Sequence, residues 1–197
     1  MKEYNYRNVS EYERVLQKAI LVIVYDYLKE QIQIIEQTRL VEKKEASWND
    51  EVDERLERIS QRSLSIELKG TSNPNWLNNT FTKYKDIQLS NFLRLIGLIQ
   101  SKYEALLMLD DFSLETLVSE VSHEFTNLIN EFVFEYHNGD FSFDEFLSGY
   151  SEEVTGMLYD CLEKLLQNAH LTTSELTIIN EVLRYLDSDY SEREQLD

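Results

Sequence analysis

A chain of 197 residues with 42% hydrophobic and 12% aromatic side chains can bury a core of its own, yet one proline and five glycines are too few turn formers for an all-β protein. The formal net charge of −18 disfavours binding to nucleic acid or anionic membrane, and a lone cysteine, Cys161, excludes an internal disulfide. These totals predict a single all-α domain, an irregular bundle of about six to eight helices. Cytoplasmic residence is expected, because the opening MKEYNYRNVSEYER lacks a secretory core and the most apolar run, from Ala19 to Tyr25, is closed by Lys18 and Asp26.

Ser10-Glu11-Tyr12-Glu13 reads as a capping box and predicts the start of a long helix. Val15, Leu16, Ala19, Ile20, Ile23, Val24, Tyr27, Leu28, Ile32 and Ile35 recur at three- and four-residue spacing, so the helix should run to about Glu45. The β-branched run 20–24 suits a strand locally, but the helical period continues through both flanks. A second helix is expected over residues 50–68, with Val52, Leu56, Ile59, Ser63 and Ile66 on one face and Gly70 as its stop. Residues 71–80 are Asn-rich around Asn73-Pro74 and read as a loop, the place where a near-neutral amino-terminal half (1–70) would part from a central-plus-acidic half (81–190).

Residues 89–109 keep a helical period despite Gly97, and being apolar nearly all round they should form a central helix. Ser113 can cap the next, which carries Leu114, Leu117, Val121, Phe125, Leu128, Phe132 and Tyr136 and should end at Asn138-Gly139. Ser142 and Glu145 then supply a further box-type start. Two more helices are expected over residues 151–168 and 172–186, the latter opened by Thr172-Thr173-Ser174-Glu175 and followed by a polar tail after Asp187.

No spacing in the chain carries strong chemistry. Glu120 and His123 have the Glu-x-x-His spacing of di-iron helical bundles, but His137 and His170 follow Phe134 and Gln167 at three residues, so the second half of such a site is missing. Residues 138–146 resemble the second half of an EF-hand loop, yet Phe134 and Tyr136 stand where the first carboxylate ligands belong. Cys161 lies on the apolar side of its helix, as a small buried hydrophobe would. With no Gly-rich phosphate loop, no His-Glu-x-x-His pair and no nucleophile elbow, no catalytic residue, metal or cofactor is expected.

The charge itself is unevenly placed. Residues 1–70 carry 12 basic against 14 acidic side chains and residues 71–109 carry 4 against 2, whereas residues 110–197 carry 3 against 21. Ordinary surfaces mix both signs, and like charges held together oppose compaction, so a use for them is the natural expectation. Phe132 and Phe134, two apart on one helix, cannot face one core, and Phe141, Phe143, Phe146 and Tyr150 crowd the segment that follows.

An acidic surface studded with aromatic anchors suits a basic protein partner that handles nucleic acid, a nuclease or nucleic-acid-binding complex. The expected centre is Glu131, Glu135, Asp140, Phe141, Phe143, Asp144, Glu145, Glu152 and Glu153. The expected function is non-enzymatic: binding and inhibiting or neutralising that partner, in the manner of an immunity protein, antitoxin, phage inhibitor or DNA mimic. Direct contact with nucleic acid or membrane is not expected, while self-association through the amino-terminal helices is compatible with their apolar stripes. Two alternatives differ in class: a helical accessory subunit of a larger bacterial nucleic-acid-processing or defence complex, and a metal-dependent helical-bundle enzyme built on Glu120 and His123.

Overall fold

The computed structural model describes residues 6–45, 59–105, 123–138 and 142–193, together with Leu117, Ser119 and Val121. Among the described residues there are eight helices and no strand. They are α1 (Tyr6–Glu45), α2 (Gln61–Lys69), α3 (Trp76–Thr82), α4 (Leu89–Ala105), α5 (His123–Asn138), α6 (Phe143–Leu147), α7 (Glu152–Asn168) and α8 (Thr173–Arg193). The fold is all-α with a long first helix, as the hydrophobic period requires.

Two compact units divide the chain. One combines Met1–Ile23 with Val121–Asp197, and the other is Val24–Glu120. Helix α1 is continuous through the boundary at Ile23, with neither glycine nor proline to break it. In the contiguous unit α2 packs on α3 and α4, and Tyr25, Leu28, Ile35, Leu64, Leu77, Phe81, Leu95 and Ile99 are almost fully buried. Tyr25 and Phe81 stack with ring centroids 4.8 Å apart, and the Tyr25 hydroxyl donates to the Lys85 carbonyl. In the other unit α7 packs on α5 and α8, around Leu16, Ala19, Phe125, Leu128, Leu162, Leu165 and Ile179.

Several expected boundaries move. Helix α1 begins at Tyr6, so Ser10 lies inside it rather than capping it; residues 6–9 hold neither glycine nor proline, and the helix extends back one turn. The helix expected over residues 50–68 is not continuous, because Ser60 is an extended N-cap that starts α2 afresh. Its hydroxyl accepts from the Ser63 amide (3.1 Å) and the Ser63 hydroxyl accepts from the Ser60 amide (2.9 Å), a reciprocal box whose second serine replaces the usual Glu or Gln. The residues of α2 that are buried are Leu64, Ser65 and Leu68, not Ser63 and Ile66. Residues 50–58 of that expectation lie outside the described residues. Gly70 stops α2 as expected, at φ +78° with its amide on the Ile66 carbonyl.

Residues 71–80 are only partly loop, since α3 starts at Trp76. Asn75 gives α3 no side-chain cap; the Ser65 hydroxyl, from α2, accepts from the Leu77 amide instead (2.9 Å). Helix α4 is not central all round: Leu95, Ile96 and Ile99 are buried, while Leu89 is 70% and Leu93 52% exposed. The long helix expected from Ser113 is interrupted by a bend at Val121, and Ser113 itself lies outside the described residues. Helix α5 ends at Asn138 and α7 starts after the Ser151 cap, both as the spacing predicts. Helix α8 begins on the Thr172 box but continues through the polar residues to Arg193.

Candidate functional site

Helix α5 divides cleanly by side. Phe125, Leu128, Ile129 and Phe132 repeat at helical spacing and are buried, so the opposite side carries His123, Glu124, Asn127, Asn130, Glu131, Phe134 and Glu135 to solvent. Phe132 anchors a run of four rings: Tyr12 and Phe132 at 5.8 Å, Phe132 and Phe146 at 5.7 Å edge-on, Phe146 and Tyr150 at 5.4 Å. This run fixes α6 and the turn after it against α5. It also carries the Tyr150 hydroxyl to Glu131, to which it donates a hydrogen bond. Partial burial, then the Glu131 and Glu135 carboxylates, push the Tyr150 phenol well above its ordinary value and keep it a donor.

Helix α7 adds the next acidic pair. The Ser151 hydroxyl accepts from the Val154 amide, and Glu152 and Glu153 occupy the exposed first turn, where carboxylates complement the helix dipole. Val154 turns inward and fixes which way they point. Of the sequence-predicted residues, Glu131, Glu135, Glu145, Glu152 and Glu153 are thus exposed on α5, α6 and the start of α7. Phe143 and Asp144 belong to α6, and Asp140 and Phe141 lie outside the described residues. Asp160 and Glu163 extend the exposed carboxylates along α7, and the Tyr159 phenol is pushed up by Asp187 and Glu163.

Not every carboxylate of this unit belongs to the surface. Glu175 is only 5% exposed. It accepts from Lys18 of α1 (2.6 Å) and from the Thr172 amide (2.8 Å). Burial alone would raise its carboxyl, but the Lys18 ammonium and the Thr172 donors outweigh that and hold it below the usual glutamate range. Glu181 accepts from the Tyr12 hydroxyl (2.8 Å). Both fasten α8 to the first turns of α1 and are structural.

The residue that sequence reasoning did not single out for the surface is Phe134. The two-residue spacing from Phe132 signalled that one of them must leave the core; the structure sends Phe132 in and leaves Phe134 67% exposed. The candidate metal-binding constellations lie only partly among the described residues. His123 is an exposed residue at the start of α5, Glu120 lies outside the described residues, and among the described residues no three His, Cys, Asp or Glu side chains are grouped to hold a metal. The EF-hand-like segment falls on the end of α5 and the start of α6. Cys161 is buried between α7 and its neighbours as a small hydrophobe. Among the described residues, no helix is long and apolar enough to cross a membrane. No protein-family model matches this chain, and no curated protein or solved structure matches it either.

Proposed function

We propose that this chain is a non-enzymatic, cytoplasmic interaction protein whose acidic surface binds a basic, nucleic-acid-handling protein and inhibits or neutralises it, as an immunity protein, antitoxin, phage inhibitor or DNA mimic does. The supporting observation is arithmetic: residues 110–197 hold 21 acidic side chains and 3 basic ones, so most of those carboxylates have no basic neighbour from their own segment. The exposed positions of Glu131, Glu135, Glu145, Glu152 and Glu153 supply a place for the partner's cations. Such a surface steers association and makes it salt-dependent.

The test is to recover a partner by affinity purification from the native host, then replace Glu135→Lys, Glu145→Lys, Glu152→Lys and Glu153→Lys together. Glu131 is left intact because Tyr150 is fastened to it. With the helical signal preserved, affinity should fall by at least tenfold at low salt and the salt slope should flatten. Unchanged affinity and slope would make the carboxylates a solubility coat.

A second reading, a helical subunit of a larger nucleic-acid-processing or defence complex, is favoured by Leu89 and Leu93 exposed one turn apart on α4. It predicts self-association or aggregation of the isolated chain, relieved by Leu93→Glu.

A further inference from the structure

The proposed surface is unusual in carrying a large ring in water. Helix α5 is otherwise sorted by side, and nothing in its packing requires phenylalanine at position 134. Glu131 stands one turn before Phe134 on the same side of the helix, and Glu135 stands one turn after Glu131. The Tyr150 hydroxyl restrains the Glu131 carboxylate, which retains acceptor capacity on both oxygens.

We propose that Phe134, with Glu131 and Glu135, receives an arginine side chain of the partner, its guanidinium lying over the exposed ring while its N–H groups bond the carboxylates. The inference rests on the acidic-surface reading and names the chemistry it selects. A planar, weakly hydrated guanidinium can stack on a ring and fork to carboxylates at once, whereas an ammonium is a compact, strongly hydrated charge. A purely apolar occupant would strip water from Glu131 and Glu135 without returning a partner. A phosphate backbone would meet like charge. The occupant that satisfies ring and carboxylates together is therefore arginine.

The full-length chain is titrated with oligoarginine and oligolysine of equal length at low and at moderate salt, alongside Phe134→Ala and Phe134→Leu, with circular dichroism confirming the fold. Wild type should bind oligoarginine roughly three- to fivefold more tightly than it binds oligolysine. Both variants should lose that increment and bind oligolysine as wild type does. An increment that survives Phe134→Ala overturns the arginine site while leaving the acidic surface standing, and one retained by Phe134→Leu overturns the stacking. Failure of both peptides to bind wild type removes the acidic-surface reading, and the arginine site with it.

Discussion

Tyr84 holds its backbone at φ +45°, the left-handed region that glycine ordinarily fills. It occupies the position after the Lys83 cap of α3, with the Lys85 amide on the Thr80 carbonyl (3.0 Å) and its own amide on the Phe81 carbonyl (3.4 Å), the two bonds of a Schellman termination. Its ring is buried and Lys29 lies 5.5 Å from the centroid, so packing holds a conformation that the backbone alone disfavours. Tyr84→Ala and Tyr84→Gly should both destabilise through lost ring contacts. Alanine should be worse than glycine by about 1 kcal/mol, since it keeps the left-handed cost, and urea denaturation of the pair would show the order. Glu175 makes a pH-dependent contribution of known sign. Its folded carboxyl is depressed by Lys18 and Thr172, so its stabilisation is present above the unfolded value of about 4.3 and is lost as pH falls through the lower folded value. Wild type should exceed Glu175→Gln by roughly 1–3 kcal/mol at pH 7, and the gap should close as denaturation is repeated below about pH 4.

Among the helices, Gly97 is the plainest case of removable instability. It sits in the interior of α4, exposed, and a Cβ built there meets nothing within 4 Å. Gly97→Ala should therefore stabilise by up to about 1 kcal/mol, seen as a rise of roughly 2–4 °C in melting temperature. Helices were legible in the sequence where two signals coincide. Ser151 and Thr172 are capping residues followed at once by an apolar period, and α7 and α8 start there. Where the signals separate, the reading fails. The apolar spacing of Ile59, Ser63 and Ile66 runs straight across a helix boundary, because the Ser60 and Ser63 box lacks the carboxylate that usually marks one. Helix α3 ends on a tyrosine instead of a glycine and draws its amino-terminal acceptor from Ser65, twelve residues upstream of the Leu77 amide it caps, so no local pattern announces it. The exposed leucines of α4 carry the same hydrophobicity as its buried ones, and only the structure distinguishes Leu93 from Leu95. At the acidic surface the carboxylates were legible from composition, while Phe134 required knowing which side of α5 the core takes.

For the molecule as a whole, a net charge of −18 implies self-repulsion that counterions relieve. Melting temperature should rise with added sodium chloride up to about physiological strength, and the charge-reversed quadruple variant should show a weaker rise; a flat response in wild type would mean the carboxylates are too dispersed to repel. The continuity of α1 bears on a different matter, the order in which the protein can be made. Its 40 residues span about 60 Å, yet its first turns belong with residues 121–197 and the remainder with its own immediate sequel. The contiguous unit, Val24–Glu120, can close while the chain is still leaving the ribosome. Tyr12 and Lys18 meanwhile wait for Glu181 and Glu175, sequence separations of 169 and 157 residues. Until residues 121–197 emerge, Val15, Leu16 and Ala19 lack the rest of their unit, so a chaperone that scans nascent chains should engage the beginning of this protein and release it only as that unit is completed.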